Sequence, residues 1–236
     1  MLRPRAAAPR RTGRLPDVAR PALQRPTVLV TGFDAFGGAA INPSWLLAQA
    51  LHGRRIAGHR ITGARLPTVF AQSRAVLAGL LQLHRPKLVL CLGLAGGRAA
   101  ISLERVAINV NDASIADNEG KQPVDSPVVR NGPAAYFTSL PVKAMLRALQ
   151  AAGLAAEVSQ TAGTFVCNHV FYGLLHTLAT QRGFKGVRGG FVHLPYLPDQ
   201  GTPCMALDDM VRGLRIAIRC ALKTEHDICH GAGAPH

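Results

Sequence analysis

The sequence predicts an α/β domain with a largely parallel central sheet. Three observations carry this. Short apolar, strand-like runs alternate with segments of helical spacing along most of the chain. With 236 residues, 48% of them hydrophobic and 17% charged, the chain can bury one full core. No internal repeat breaks the alternation.

Taken in order, Thr27–Phe33 reads as a buried strand. Asn42-Pro43 joins a good N-cap to a proline at the first helical position and opens a helix through about Leu51. Arg60–Leu66 reads as a strand. Thr68 to about Leu83 has helical spacing at Val69, Ala75, Val76, Leu80 and Leu83. Lys87–Leu92 is a second buried strand, and Ile101–Val110 is strand-like although it carries charges. Pro141–Ala151 is a helix stopped by Gly153, and Ala155–Gln160 a short strand. Cys167–Thr180 presents Val170, Phe171, Leu174, Leu175 and Leu178 on one helical face. Val187–Leu194 is a strand and Ala206–Leu222 the last helix.

The ends differ in composition. Residues 1–25 hold seven arginines against Asp17 and almost no apolar periodicity, so they are expected to form a disordered basic extension. Residues 26–224 form the single catalytic-sized domain, and 225–236, rich in His, Gly and Ala, read as a loose tail. The formal charge of +14 invites a nucleic-acid reading. Outside the first segment, however, the charge is scattered, and no aromatic–basic or zinc-finger spacing occurs, so no nucleic-acid partner is expected. No apolar run is long enough to span a bilayer and no signal peptide is visible, so no membrane partner is expected and the protein reads as cytoplasmic. The five cysteines are odd in number and lack a CxxC pair, which points to reduced thiols and no metal site; Cys91, inside an apolar run, reads as core.

Three loops can carry chemistry, because ligands of open α/β sheets bind beyond strand carboxyl ends. Thr31–Gly38 is glycine-rich and holds Phe33 and Phe36, which either line a ligand or cap the core; it is neither GxGxxG nor a P-loop. Ser159–His169 runs from a strand into a tight turn and a helix, with Cys167 at the helix start, where the dipole favours a thiolate and free N–H groups can hold an oxyanion. His169 lies about 200° around the helix from Cys167 and reads as structural. Gly189–Pro198 ends a strand at His193, a base for Cys167 if the fold joins them. A third group must then fix the imidazole tautomer, with Asp34, Glu104, Asp112, Asp117 and Glu119 as candidates. Glu104 stands out in the apolar-flanked run Ile101–Val106; an ion pair with Arg105 or another arginine is the competing use.

At this point a family resemblance becomes visible. The stretches VLVTGFDAFGGAAINPSW (28–45), LPTVF (66–70), GGRAAISLERVAINVNDASIADNEGKQP (96–123), GPAAYFTSLPVK (132–143), SQTAGTFVCNHVFYGLLH (159–176) and GGFVHLPYLPDQ (189–200) resemble the pyroglutamyl peptidase I family in order and spacing. The resemblance implies a three-layer α/β/α fold with a mixed, largely parallel sheet, like that of purine nucleoside phosphorylases. It implies a triad of Glu104, Cys167 and His193, and a ring pocket similar to one built from Phe33, Phe36, Thr68, Ile115, Phe165 and Val166. It further implies no cofactor, peptides with N-terminal pyroglutamate as substrates, and a homotetramer. Two departures from the family pattern stand out: Leu94 stands where Gln is usual, and ASIADN, with Ser114 and Ala116, stands where the family usually has the Arg of DARIPDN. These departures keep two rival readings open: a cysteine hydrolase of the same fold acting on another amide or cyclic imide, and a weakly active or non-catalytic binding homologue.

Overall fold

The computed structural model describes residues 26–233, so the basic extension lies outside the described residues. In chain order the elements are β1 (Thr27–Phe33), α1 (Pro43–Leu51), β2 (Arg55–Ile56), β3 (His59–Leu66), α2 (Phe70–His84), β4 (Leu88–Leu94), β5 (Ile101–Glu104), β6 (Val106–Ile108), β7 (Ala135–Phe137), α3 (Val142–Ala151), β8 (Ala156–Ser159), α4 (Val166–Thr180), β9 (Arg188–Leu194) and α5 (Leu207–Lys223), with a 3-10 turn at Arg182–Phe184. Seven strands form one sheet in the order β2-β3-β1-β4-β9-β5-β8. The pairings β1–β3, β1–β4, β4–β9 and β5–β8 are parallel; β2–β3 and β5–β9 are antiparallel. The sheet is therefore mixed and mostly parallel, as expected.

Strand alternation builds the three layers. Val28 and Val30 of β1, Leu88, Leu90 and Leu92 of β4, and Val192 and Leu194 of β9 face α1, α3 and α5. Leu29, Val89, Cys91 and Phe191 face α2 and α4. Phe191 and His193 share the second face, which is why the last strand presents its histidine to α4. Gly32 is there for the helix and not for a ligand: a Cβ would stand 2.2 Å from the Ser44 carbonyl oxygen of α1.

The departures from the sequence reading are local. The run Ile101–Val110 is not one strand. The chain leaves the main sheet at Arg105, and Val106–Ile108 pairs with the short β7 in a separate sheet. Helix α2 begins at Phe70 and not at Thr68, because Asp34 holds the Thr68 N–H and hydroxyl, and Asp117 Oδ2 accepts the Phe70 N–H. Asp117 Oδ1 also accepts from the Glu119 and Lys121 N–H groups. Burial works to raise this carboxyl, but those backbone donors hold it below its ordinary value. The β2–β3 hairpin turns through Ala57 and Gly58, both at positive φ, a two-residue signal too short to notice beside the longer runs. Beyond Thr224 the tail is fastened at one point: Asp227 accepts the Lys143 and Ala144 N–H groups at 2.9 Å, capping α3 from a distance in sequence. Residues 234–236 lie outside the described residues.

His169 sits on α4 with Nδ1 2.9 Å from Asn111 Oδ1 and its ring edge-on to Phe70. Burial, then the Arg74 charge, push its imidazole down to about 4. An unfolded histidine takes its proton near pH ~6.5, so between that pH and 4 the unfolded state binds more protons. The stabilisation is complete above the unfolded value and is lost as pH falls toward the folded one. The expected outcome is a thermal midpoint that drops between pH 7 and pH 4, with up to about 3 kcal/mol of that loss abolished in His169→Gln. Calorimetric melts of both proteins across that range would check it.

Candidate active site

β4 and β9 lie side by side in parallel, and their register sets Gly93 against His193. Cys167, the second residue of α4, rests over Gly93: a Cβ at that glycine would come 2.8 Å from Cys167 Sγ and 2.8 Å from the Phe191 ring. The thiol thus lies on bare backbone, next to the strand residue that pairs with the histidine. No side chain of this type could sit so close to a larger residue at 93.

Glu104 arrives from the other side. β5 runs antiparallel to β9, with Ser102 opposite His193, so Glu104 lies on the diagonal, within reach of a long side chain. Its Oε1 is 2.7 Å from His193 Nδ1. Glu104 is fully buried and His193 is 4% exposed. Arg98, in the turn after β4, donates from Nη1 to the same Oε1 at 2.7 Å. Further Arg98 bonds run to Ser159 Oγ and the Thr161 carbonyl. The two uses open to Glu104 in the sequence are therefore combined: it holds the imidazole and it pairs with an arginine, which is Arg98 and not Arg105. Oε2 has no hydrogen-bond partner among the described residues. Arg98 was missed in the sequence; its only signal was a cation in a glycine-rich turn after a strand.

One electrostatic expectation is overturned. Burial, then the Glu104 carboxylate, push the Cys167 thiol up to about 12, with Arg98 opposing. Removing the thiol from water outweighs the helix start, so the resting group carries its proton and needs a base. With Nδ1–H donating to Glu104, His193 Nε2 is left as an acceptor. Cys91 on the same face is also pushed to about 12 by burial, in keeping with a core residue.

Helix α4 begins without any side-chain cap, so the amides of its first turn have no intrahelical partner. Asn168, buried and directly after the cysteine, fastens this turn to β6. It accepts from Ile108 N–H and donates to the Ile108 and Val110 carbonyls. Beside the thiol is a narrow slot lined by Phe33, Phe36, Thr68, Phe165 and Val166, with Asn42 and Leu94. Five of the six expected pocket residues meet there. Ile115 does not line it and is 47% exposed on its loop. Leu94 forms part of the wall, whereas Ser114 is exposed. Asp34 ties the walls together: Oδ1 accepts from Thr68 N–H and Oγ1 at 2.7 Å and from Asn118, and its carbonyl accepts from Asn42. Of the remaining candidate acids, Asp34 and Asp117 serve as local acceptors for backbone and hydroxyl groups, and Asp112 is exposed.

The pyroglutamyl peptidase family model matches residues 26–224. The chain belongs to the pyroglutamyl peptidase family. The pyrrolidone-carboxylate peptidase 1 of Ralstonia nicotianae is 55% identical over 89% of this chain and all of the relative. The pyrrolidone-carboxylate peptidase of Bacillus cereus is 51% identical over 89% of this chain and 99% of the relative. Among solved structures, pyroglutamyl peptidase I of Bacillus amyloliquefaciens superposes with a TM-score of 0.85 at 44% identity, over 88% of this chain and all of its own. The pyrrolidone carboxyl peptidase of Thermococcus litoralis gives 0.84 at 33% identity, over 87% and 99%. Family membership makes this chain a peptidase of the hydrolase class.

Asp34→Ala removes the acceptor that joins the two walls of the slot. It is expected to lower stability by about 1–3 kcal/mol and to raise KM more than it lowers kcat, since the cysteine and histidine are not its partners. Steady-state kinetics paired with denaturant titration would check both.

Proposed function

We propose that this enzyme hydrolyses the amide bond after an N-terminal pyroglutamyl residue, with Cys167 as nucleophile, His193 as base and Glu104 as the acid that orients it. The observation that carries the reading is the 2.7 Å contact between His193 and buried Glu104, with His193 on the strand directly beside Gly93, over which the Cys167 sulfur lies. The proton of the neutral thiol passes to His193 Nε2 as sulfur attacks the pyroglutamyl carbonyl. The carbonyl oxygen becomes an oxyanion against the open amides of the first turn of α4. His193 returns the proton to the departing amine, leaving a thioester. Water, deprotonated by the same imidazole, then releases pyroglutamate and restores the thiol.

The substrate follows from what the slot lacks as well as what it holds. A lactam ring carries no ammonium, and no lining residue is an acid that would clamp one. Phe36 and Phe165 pack 6.1 Å apart and Phe70 meets Phe165 edge-on, giving aromatic walls. A homotetramer, implied by the family resemblance, and a cytoplasmic location, expected from the unpaired cysteines, belong to the same reading. A second reading is motivated by Leu94: with an apolar wall where the family pattern has an amide, the slot lacks one hydrogen-bonding group for a lactam ring, which favours another amide or a cyclic imide as substrate of the same cysteine chemistry.

The test is fluorophore release from a pyroglutamyl amide, with prolyl, glutaminyl and cyclic-imide compounds alongside. Cleavage confined to the pyroglutamyl amide, abolished in Cys167→Ser and lowered about 10²–10⁴-fold in Glu104→Gln, is the expected result. Turnover of only the cyclic imide selects the second reading, and no turnover by reduced, folded protein would reject both. Leu94→Gln is expected to raise kcat/KM for the pyroglutamyl amide by about tenfold, the worth of one added hydrogen bond to the ring; an unchanged value shows that the ring is held elsewhere.

A further inference from the structure

At the far end of the sheet from the cysteine, the antiparallel register sets Arg55 of β2 directly opposite Arg60 of β3. Like charges at such a pair oppose each other. Both side chains point to the same face, because their neighbours Ile56 and Ile61 are buried against the α1–α5 layer. That face meets the end of α2, where His84 and Arg85 stand, Arg85 in the left-handed region at φ 41° with its guanidinium over the Phe184 ring. The four residues, with Leu83 and Pro26, line a depression with about 960 Å³ of space open to solvent. No acid lines it, and neither Arg55, Arg60 nor Arg85 makes an ion pair or a side-chain hydrogen bond among the described residues.

The C-terminal end of α2 accounts for some of this positive charge, since helix carbonyls attract cations. Two of those carbonyls are already taken: Thr27 Oγ1 donates to His84 O, and Arg85 N–H to Leu81 O. One helix end supplies about half a negative charge against three permanent cations. The excess calls for an anion of higher charge than a single carboxylate, and planar guanidinium forks pair with phosphate oxygens through two parallel N–H···O bonds.

We propose that the Arg55–Arg60–Arg85 depression binds a small multivalent phosphate anion, either a free polyphosphate or the phosphate tail of a nucleotide. The site lies at the amino ends of β1 and β3, a strand length of about 20 Å from the catalytic end. Occupancy therefore stabilises the fold by neutralising a repulsive pair and leaves the peptide slot free. The proposal stands apart from the peptidase reading and does not depend on it.

The experiment is a thermal melt of the full chain at constant ionic strength with pyrophosphate, tripolyphosphate or ATP, and with sulfate and chloride as controls, for wild type and Arg55→Gln/Arg60→Gln. Both residues are exposed, so the double variant should fold; relief of the like-charge pair should leave its ligand-free midpoint equal to or above that of wild type. Tripolyphosphate at a hundredfold excess over its dissociation constant should raise the wild-type midpoint by about 5–10 °C, with no rise in the variant and no change in KM for a peptide amide. Equal shifts with tripolyphosphate and ATP assign the phosphate chain as the ligand, and a larger shift with ATP assigns a nucleotide. No shift at millimolar anion, or the same shift in both proteins, overturns the proposal.

Discussion

One carboxylate oxygen organises this molecule's chemistry. Glu104 Oε1 receives both the His193 imidazole and the Arg98 guanidinium at 2.7 Å, inside a position with no exposure to water. A buried carboxylate without partners would be costly to ionise, and one paired only with arginine would have its charge spent on a structural bond. Sharing the oxygen gives the buried carboxylate two donors while tying the imidazole to one tautomer. β5 runs against β9 with Ser102 opposite His193, and the long Glu104 side chain reaches the imidazole from the diagonal position.

The thiol is the counterpart. Burial makes it a poor acid, and Glu104 opposes its ionisation further, with only Arg98 acting the other way. Under the proposed mechanism, a neutral thiol and a tautomer-fixed imidazole move the proton as sulfur attacks. The slot, in turn, depends on groups that touch neither. Asp34 joins the Phe33–Phe36 loop to Thr68, Asn42 and Asn118, and Asn168 clamps the first turn of α4 to β6.

The long periodic segments were legible from sequence because burial on one face writes itself into the chain. β1, β4, β9, α1, α4 and α5 appear within a residue or two of where apolar spacing puts them. The cysteine and histidine stretches were legible because each joins a strand or turn to a punctuating residue. What stayed hidden was tertiary. Nothing local distinguishes Ile101–Glu104 from Val106–Ile108, since the break at Arg105 is made by partners far along the chain. Arg98 looked like a turn cation, and only the folded sheet brings it to Glu104. Thr68 has a helical neighbourhood but is held out of the helix by Asp34. Ile115 was assigned to the pocket through resemblance, and its loop leaves it in solvent.

Gly93 also limits which substitutions the chain can accept. Every possible replacement there adds a Cβ, and a Cβ lands 2.8 Å from the Cys167 sulfur. Leu94, the next residue, lines the slot and meets no such limit, so the shape of the slot can be altered at 94 but not at 93.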